Sequence, residues 1–426
     1  LYWMATQTST VNQLRDFSQA LLRHIEPDAP IPQTFTYESW ETAFARIASL
    51  AQAKRFVLIL DEITYAMQAN PELPSLLQRI WDHSLKETNL FLILTGSLAG
   101  IIQRSMLDYQ APLYGRATAK IKLLPLSFGT LSHFLPNMST EERVAVYAIT
   151  GGVPAYLSLF DDRKSVIENL QDHFVTQTNV MLNDAVFLLR EQVEEPRNYI
   201  AILEAIANGA YKLSDIANAA GLERSNANKY LTVLRELGYI RRIVPITVQH
   251  PERSRRGRHV FADAYLRFYF RFLRPYLGDI ERGRLKRVMR LLSEHLKDFI
   301  GRYTFEELCR EWLDEKADRE ELPFFLDRVG QHWDSTAEID VVGLNWRTKK
   351  ILFGECKWGE RPLDVNVIDK LVAQSQKVKL ASGSWTHTFF IFSRTSLTVD
   401  AHKKLAEISA SHVTIDQLEQ DMIAWL

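Results

Sequence analysis

The sequence predicts an α/β protein in three parts, and three observations carry that expectation. Apolar strands alternate with amphipathic helices over residues 1–155. A helix-turn-helix pattern followed by an arginine-rich hairpin fills the middle, residues 156–275. In residues 276–426 a second α/β unit carries an acid on one strand and an acid and a lysine on the next. Strands alternating with helices imply a parallel sheet covered on both faces.

In the first part "LYWMA" reads as a strand, and residues 10–25 and 38–53 have helical spacing. Trp40, Phe44, Ile47 and Leu50 share one face of the second helix. "FVLIL" is a buried strand, residues 74–87 form a helix, and "LFLILTGS" and "AKIKLLPLS" are further strands. The strand Phe56–Leu60 runs into Asp61 and Glu62. That pairing matches a Walker B element: Asp61 holds a hydrated Mg²⁺ on nucleotide phosphates, and Glu62 positions or deprotonates the attacking water. The competing reading makes Asp61 an ordinary helix N-cap. Ser97 ends the neighbouring strand, where a phosphate-sensing side chain would sit. A nucleotide site also needs a glycine-rich loop ending in Lys-Ser or Lys-Thr. No glycine of this chain is followed by lysine.

In the middle part Leu213, Ile216 and Ala217 mark one helix, Gly221 the turn, and Ala227, Tyr230, Leu231, Leu234 and Leu237 the stripe of a second. The strand "YIRRIVPITV", the loop "HPERSRRGRH" and the return "VFADAYLRFYF" complete a winged helix. Asn226, Asn228 and Lys229 begin the recognition helix, the end that meets base edges. Arg253, Arg255, Arg256 and Arg258 sit in the wing, placed for phosphates. Residues 241–290 hold 14 Lys/Arg against 4 Asp/Glu in a chain whose net charge is −1. Such a local footprint suits a polyanionic partner, here DNA. The competing reading is a winged helix that packs as a regulatory hinge.

The last part begins with the helix "YTFEELCREWLDEK", followed by the strands "AEIDVVGLN" and "KKILFGECKW". A helix, the strand "HTFFIFSR" and a final helix follow. Asp340 on one strand and Glu355 and Lys357 on the next carry the signature of the PD-(D/E)xK nuclease fold, a restriction-endonuclease-like α/β domain. Alternation puts Glu355 and Lys357 on one face and Cys356 on the other. Asp340 and Glu355 can then share a Mg²⁺. Lys357 orients the attacking water or stabilises phosphate charge. Glu306 is the candidate additional carboxylate from the helix, and Gln374 or Gln376 the polar helper. The bland reading keeps the fold without the activity.

Taken together, "LILDE", "LTGS", "YGRATAKIKLLPLSF" and "GGVPAYL" closely resemble the archaeal-type ATPase family of the signal-transducing P-loop NTPases. The resemblance extends through the winged helix to the C-terminal domain. It implies ATP and Mg²⁺ as cofactors, and ATP binding and hydrolysis as the activity. It places Gly152 and Pro154 at a domain boundary that meets the nucleotide base. Arg116 matches the family's Gly-Arg arginine, which either contacts nucleotide or packs. In that family the phosphate loop lies one βα unit upstream of a strand like "LYWMA". The expectation is therefore a truncated P-loop NTPase sheet with its loop ahead of Leu1, and weak or no ATP binding by the chain as it stands.

Cys309 and Cys356 lie far apart and form no CxxC pair, which argues against a disulfide scaffold or zinc ribbon and points to a reducing cytoplasm. No apolar run approaches the ~20 residues needed to span a bilayer. Two functions fit: an ATP-regulated enzyme acting on DNA, or a nucleotide-switched DNA-binding or scaffold protein with a silent nuclease fold.

Overall fold

A computed structural model describes residues 1–174, 180–193, 195–380 and 382–426. The chain divides into two units, Leu1–Leu123 and Leu124–Leu426.

In the first unit β1 (Tyr2–Met4), β2 (Phe56–Asp61) and β3 (Leu90–Leu94) form a parallel sheet in the order β1-β2-β3. The helices Thr10–Ile25 and Trp40–Ala53 start at Ser9 and Ser39, whose hydroxyls accept from the backbone N–H groups of Asn12 and Thr42. Their apolar faces bury Phe17, Leu21, Phe44 and Ile47 in one core with Phe56, Leu58 and Leu60. Each such side chain contributes on the order of 1.5–3 kcal/mol by leaving water. The opposite sheet face is different. Tyr2, Met4, Val57 and Phe91 are exposed there, so the sheet is covered on one face and not on the two expected.

The expected strand "AKIKLLPLS" is also absent: residues 119–127 form no strand, and Ile121 and Leu123 are 85% and 90% exposed. Apolar alternation makes a strand only where a ladder partner satisfies its backbone. No residue of this segment pairs with β1, β2 or β3.

The second unit opens with helices over 128–157 that join its main core through Phe128, Leu131, Val144 and Ile149. The middle is helical, as the sequence predicts, with residues 175–179 and 194 lying outside the described residues. Helices Leu213–Ala219 and Arg224–Glu236 form the helix-turn-helix, and β4 (Ile240–Ile243) pairs antiparallel with β5 (Arg258–Phe261) as the wing. Gly221 makes the turn at φ +66°, a left-handed conformation that glycine adopts without steric cost.

A five-stranded mixed sheet follows, built from β6 (Arg328–Trp333), β7 (Glu338–Asn345), β8 (Lys350–Lys357), β9 (Thr386–Ser393) and β10 (Ser411–Thr414). Its order is β10-β9-β8-β7-β6, with β6, β7 and β8 antiparallel and β8, β9 and β10 parallel. The wing is fixed to this sheet. Ile246 buries its side chain in the sheet's core and donates its backbone N–H to Gln331 O at 2.9 Å. Thr247 Oγ1 and His332 Nδ1 lie 2.8 Å apart.

Candidate functional site

The β2 carboxylates are held by uncharged donors. Asp61 accepts from the hydroxyls of Tyr2, at 2.6 Å, and Thr95, and from the Glu62 N–H at 3.1 Å. The Thr95 and Tyr2 hydroxyls keep this carboxylate below its usual range. Glu62 Oε2 accepts from both Ser97 Oγ at 2.8 Å and Ser97 N at 3.0 Å. Ser97 lies three residues beyond the end of β3 and engages Glu62, while Thr95 serves Asp61.

The helix beyond the strand, Ile63–Ala69, has Glu62 at its cap position, with no side-chain cap bond there. Asp61 is therefore not the cap. Glu62 reaches its position through a left-handed backbone, φ +49°. Gly96 permits a tight approach: a Cβ there would lie 2.5 Å from Thr64 Cγ2.

Arg116 has partners within the chain. Its guanidinium forks onto Asp82 at 3.0 and 2.6 Å and donates to the carbonyls of Pro112 and Tyr114. Pro154 opens the short helix Pro154–Leu157 of the second unit. Gly152 is required there by close approach, since a Cβ would fall 2.1 Å from Leu126 O.

In the second unit the β7/β8 register pairs Val341 with Gly354 and, one step on, sets Asp340 opposite Glu355. Directly opposed residues of an antiparallel pair share a face. Asp340, Glu355 and Lys357 accordingly converge on one cavity of about 510 Å³. Lys357 Nζ lies 2.5 Å from Glu355 Oε1, and Cys356 N donates to Asp340 Oδ2 at 3.0 Å. Arg310 donates to the Asp340 carbonyl at 2.7 Å and approaches Glu306 at 3.5 Å.

Glu306 lines the same cavity from the first turn of the helix Glu306–Asp318, and Gln374 lines it where Gln376 does not. Burial pushes Asp340 up to about 6, with the Glu355 charge adding to it. Burial and the Asp340 charge push Glu306 up to about 8. Burial draws the Lys357 ammonium down, but Glu355 more than offsets this and holds it above the usual lysine range.

Among the described residues no three His, Cys, Asp or Glu side chains form a metal cage. Glu306, Asp340 and Glu355 nevertheless line the same cavity, with Lys357 on Glu355 and Arg310 beside Glu306. Asp340 and Glu355 remain a hard-oxygen pair of the kind that suits a hydrated Mg²⁺.

The winged helix presents Asn226, Asn228 and Lys229 on an exposed helix face, and Arg253, Arg255 and Arg256 are exposed on the wing. Arg258 differs: it pairs with Glu338 at 3.0 Å, stacks over Trp333 and lines the cavity. Sequence reasoning missed Arg267, Arg271 and Arg302, which line the same cavity. Their signal was the positive charge concentrated after residue 240; what places them around the acids is tertiary.

These features define a class: an ATPase-type α/β unit joined in one chain to a helix-turn-helix and a second α/β domain. Residues 2–160 match an ATPase domain predominantly from Archaea, and residues 198–243 match the IclR helix-turn-helix domain. Residues 269–371 match a family described as Archaea bacterial proteins of unknown function. Over 359 residues the chain is 33% identical to the uncharacterized protein MJECL04 of Methanocaldococcus jannaschii, covering 84% of this chain and 77% of that protein. The chain belongs to the same family as that protein. A second protein of that organism, the uncharacterized protein MJ0424, is 46% identical over 44 residues, covering 10% of this chain and 43% of that protein. Among the described residues no helix is long and apolar enough to cross a membrane.

Proposed function

We propose that this is a DNA-acting protein of the archaeal-type ATPase family whose second unit holds a Mg²⁺-dependent phosphodiester-hydrolysing site. The observation that carries the reading is the convergence of Asp340, Glu355 and Lys357 in one cavity lined by arginines. Asp340 and Glu355 would hold the metal, which supplies charge stabilisation at the phosphate when bound. Lys357 orients a water toward phosphorus; the new P–O bond forms as the P–O bond to the sugar breaks, and the departing oxygen takes up a proton. The recognition helix and the exposed wing arginines hold duplex DNA. In the first unit Asp61 and Glu62 are the metal-holding and water-positioning acids of ATP hydrolysis, with Ser97 fixing Glu62.

The test is cleavage of DNA by the full chain with Mg²⁺ or Mn²⁺, lost in Lys357→Ala while metal binding persists. Absence of cutting in the wild type on every DNA form sinks the catalytic reading. One observation favours a silent nuclease fold as the second reading: the Lys357 ammonium sits directly on Glu355, where a metal would bind. Metal titration separates the two, because a competent site displaces that ammonium and a silent one does not.

A further inference from the structure

We infer that the cavity beneath the wing takes single-stranded DNA, and that Arg271 and Arg302 hold its phosphates. The inference rests on the phosphodiesterase reading above and names its substrate. Depth is the first argument: the carboxylate of Glu355 lies low in the cavity and not at its rim. An intact double helix cannot reach Glu355, which is only 5% exposed.

The roof is not a loose flap. Arg258 pairs with Glu338 at 3.0 Å, and Arg241 pairs with Glu307 at 2.6 Å. The Ile246 N–H bond and its apolar contact add to these. A duplex would have to break all of them together.

The lining is the second argument. Nonspecific single-strand sites combine a basic groove with aromatic faces for the bases. The cavity has eight Lys or Arg against five Asp or Glu, so it stays cationic although its floor is acidic. Tyr211 and Tyr303 line it, with their hydroxyls 3.2 Å apart. Arg302 lies 5.7 Å from the Tyr303 ring centroid. Among the described residues neither Arg271 nor Arg302 is paired to a carboxylate, and both are exposed.

Deeper in, Arg267 is 7% exposed, and its Nε has no hydrogen-bond partner although Nη2 donates to Glu307 Oε2 at 2.8 Å. A buried guanidinium N–H without an acceptor is costly, and a phosphate oxygen in the cavity would supply one.

The experiment is fluorescence anisotropy with the full chain, without divalent metal, using an oligo(dT) of about ten nucleotides and a closed duplex hairpin. Binding is read without cleavage, so a silent site does not enter the result. Arg271→Glu and Arg302→Glu are each expected to weaken oligo(dT) binding about tenfold or more, and to leave hairpin binding unchanged. Both side chains are exposed and unpaired, and matching thermal melts establish that the variants are folded. Unchanged oligo(dT) binding in both variants overturns the inference. So does an equal loss for both DNA forms. Displacement of oligo(dT) by thymidine monophosphate at equal concentration also overturns it, because the cavity would then be a mononucleotide site.

Discussion

Two pairs of carboxylates end strands in this chain, and they are held in opposite ways. Asp61 and Glu62 are consecutive residues of one strand end, and hydroxyl and amide donors bind them. Asp340 and Glu355 face each other across two strands, more deeply buried, with Lys357 and Arg310 against them. Neutral donors favour the charged carboxylate without adding charge of their own, so Asp61 is held below its usual range and keeps its full negative field. Burial does the reverse at Asp340. The first pair is suited to a cation that arrives with its ligand. The second is already balanced by the protein's own cations, and a metal must compete with them.

The contrast can be broken most sharply at Lys357. If the second pair is a working site, Lys357→Ala lowers DNA cleavage by about 10²–10³-fold, the scale for removing one preorganised charge-stabilising donor. An unchanged rate would reduce Lys357 to a counter-ion for Glu355. The first pair is tested by Glu62→Gln in a form of the protein that hydrolyses ATP. ATP hydrolysis should slow by about 100-fold while nucleotide binding holds, as general-base removal predicts. Lost binding with an unchanged rate for the bound remainder would show that Glu62 does not position water.

The exposed wing gives a smaller effect. Replacing Arg253, Arg255 and Arg256 with Ala should weaken duplex binding on unrelated sequences alike. It should also flatten the salt dependence by about 0.9 for every phosphate the wing no longer neutralises. A constant slope would remove the wing from the interface. Arg258 is left out because its pairing with Glu338 ties it to the fold.

The last effect concerns pH and is read on stability, not on activity. Burial, with Arg235 and Arg242 nearby, pushes His259 down to about 4. A histidine depressed in the folded state binds its proton more readily when unfolded. The stability tied to it is therefore full above about pH 6.5 and falls as pH drops towards 4. The total is at most about 3 kcal/mol. His259→Leu should flatten that acid limb in a thermal melt series between those limits, and an unchanged limb would place the acid sensitivity elsewhere.

Local pattern carried much of this molecule. Helices at Thr10–Ile25 and Trp40–Ala53, the helix-turn-helix, the wing hairpin and the β7/β8 pair all follow from periodicity and turn residues. Strand alternation alone put Glu355 and Lys357 on one face. What stayed hidden depends on partners distant in sequence. Residues 119–127 have strand composition and no strand to pair with. β6 was unreadable because Gly330, Gln331 and His332 interrupt its apolar rhythm, and the ladder shifts register there. The helices over 128–157 fall within the ATPase-domain match, residues 2–160, and their apolar faces pack in the second unit's core. The arginine wall was visible as charge but not as a wall.

One backbone angle has a consequence for how this sequence can change. Glu62 holds φ +49°, which costs a side-chain-bearing residue on the order of 1–3 kcal/mol and costs glycine almost nothing. At position 62, then, the residue that folds most easily is not the one that delivers a carboxylate to Ser97. A library screened for thermal resistance alone would drift there towards glycine, gaining stability as it empties the strand end of its acid. If Glu62 positions the attacking water, the same library screened for nucleotide turnover would hold glutamate in its uncomfortable conformation. Position 62 thus reports which of the two pressures a lineage has been under.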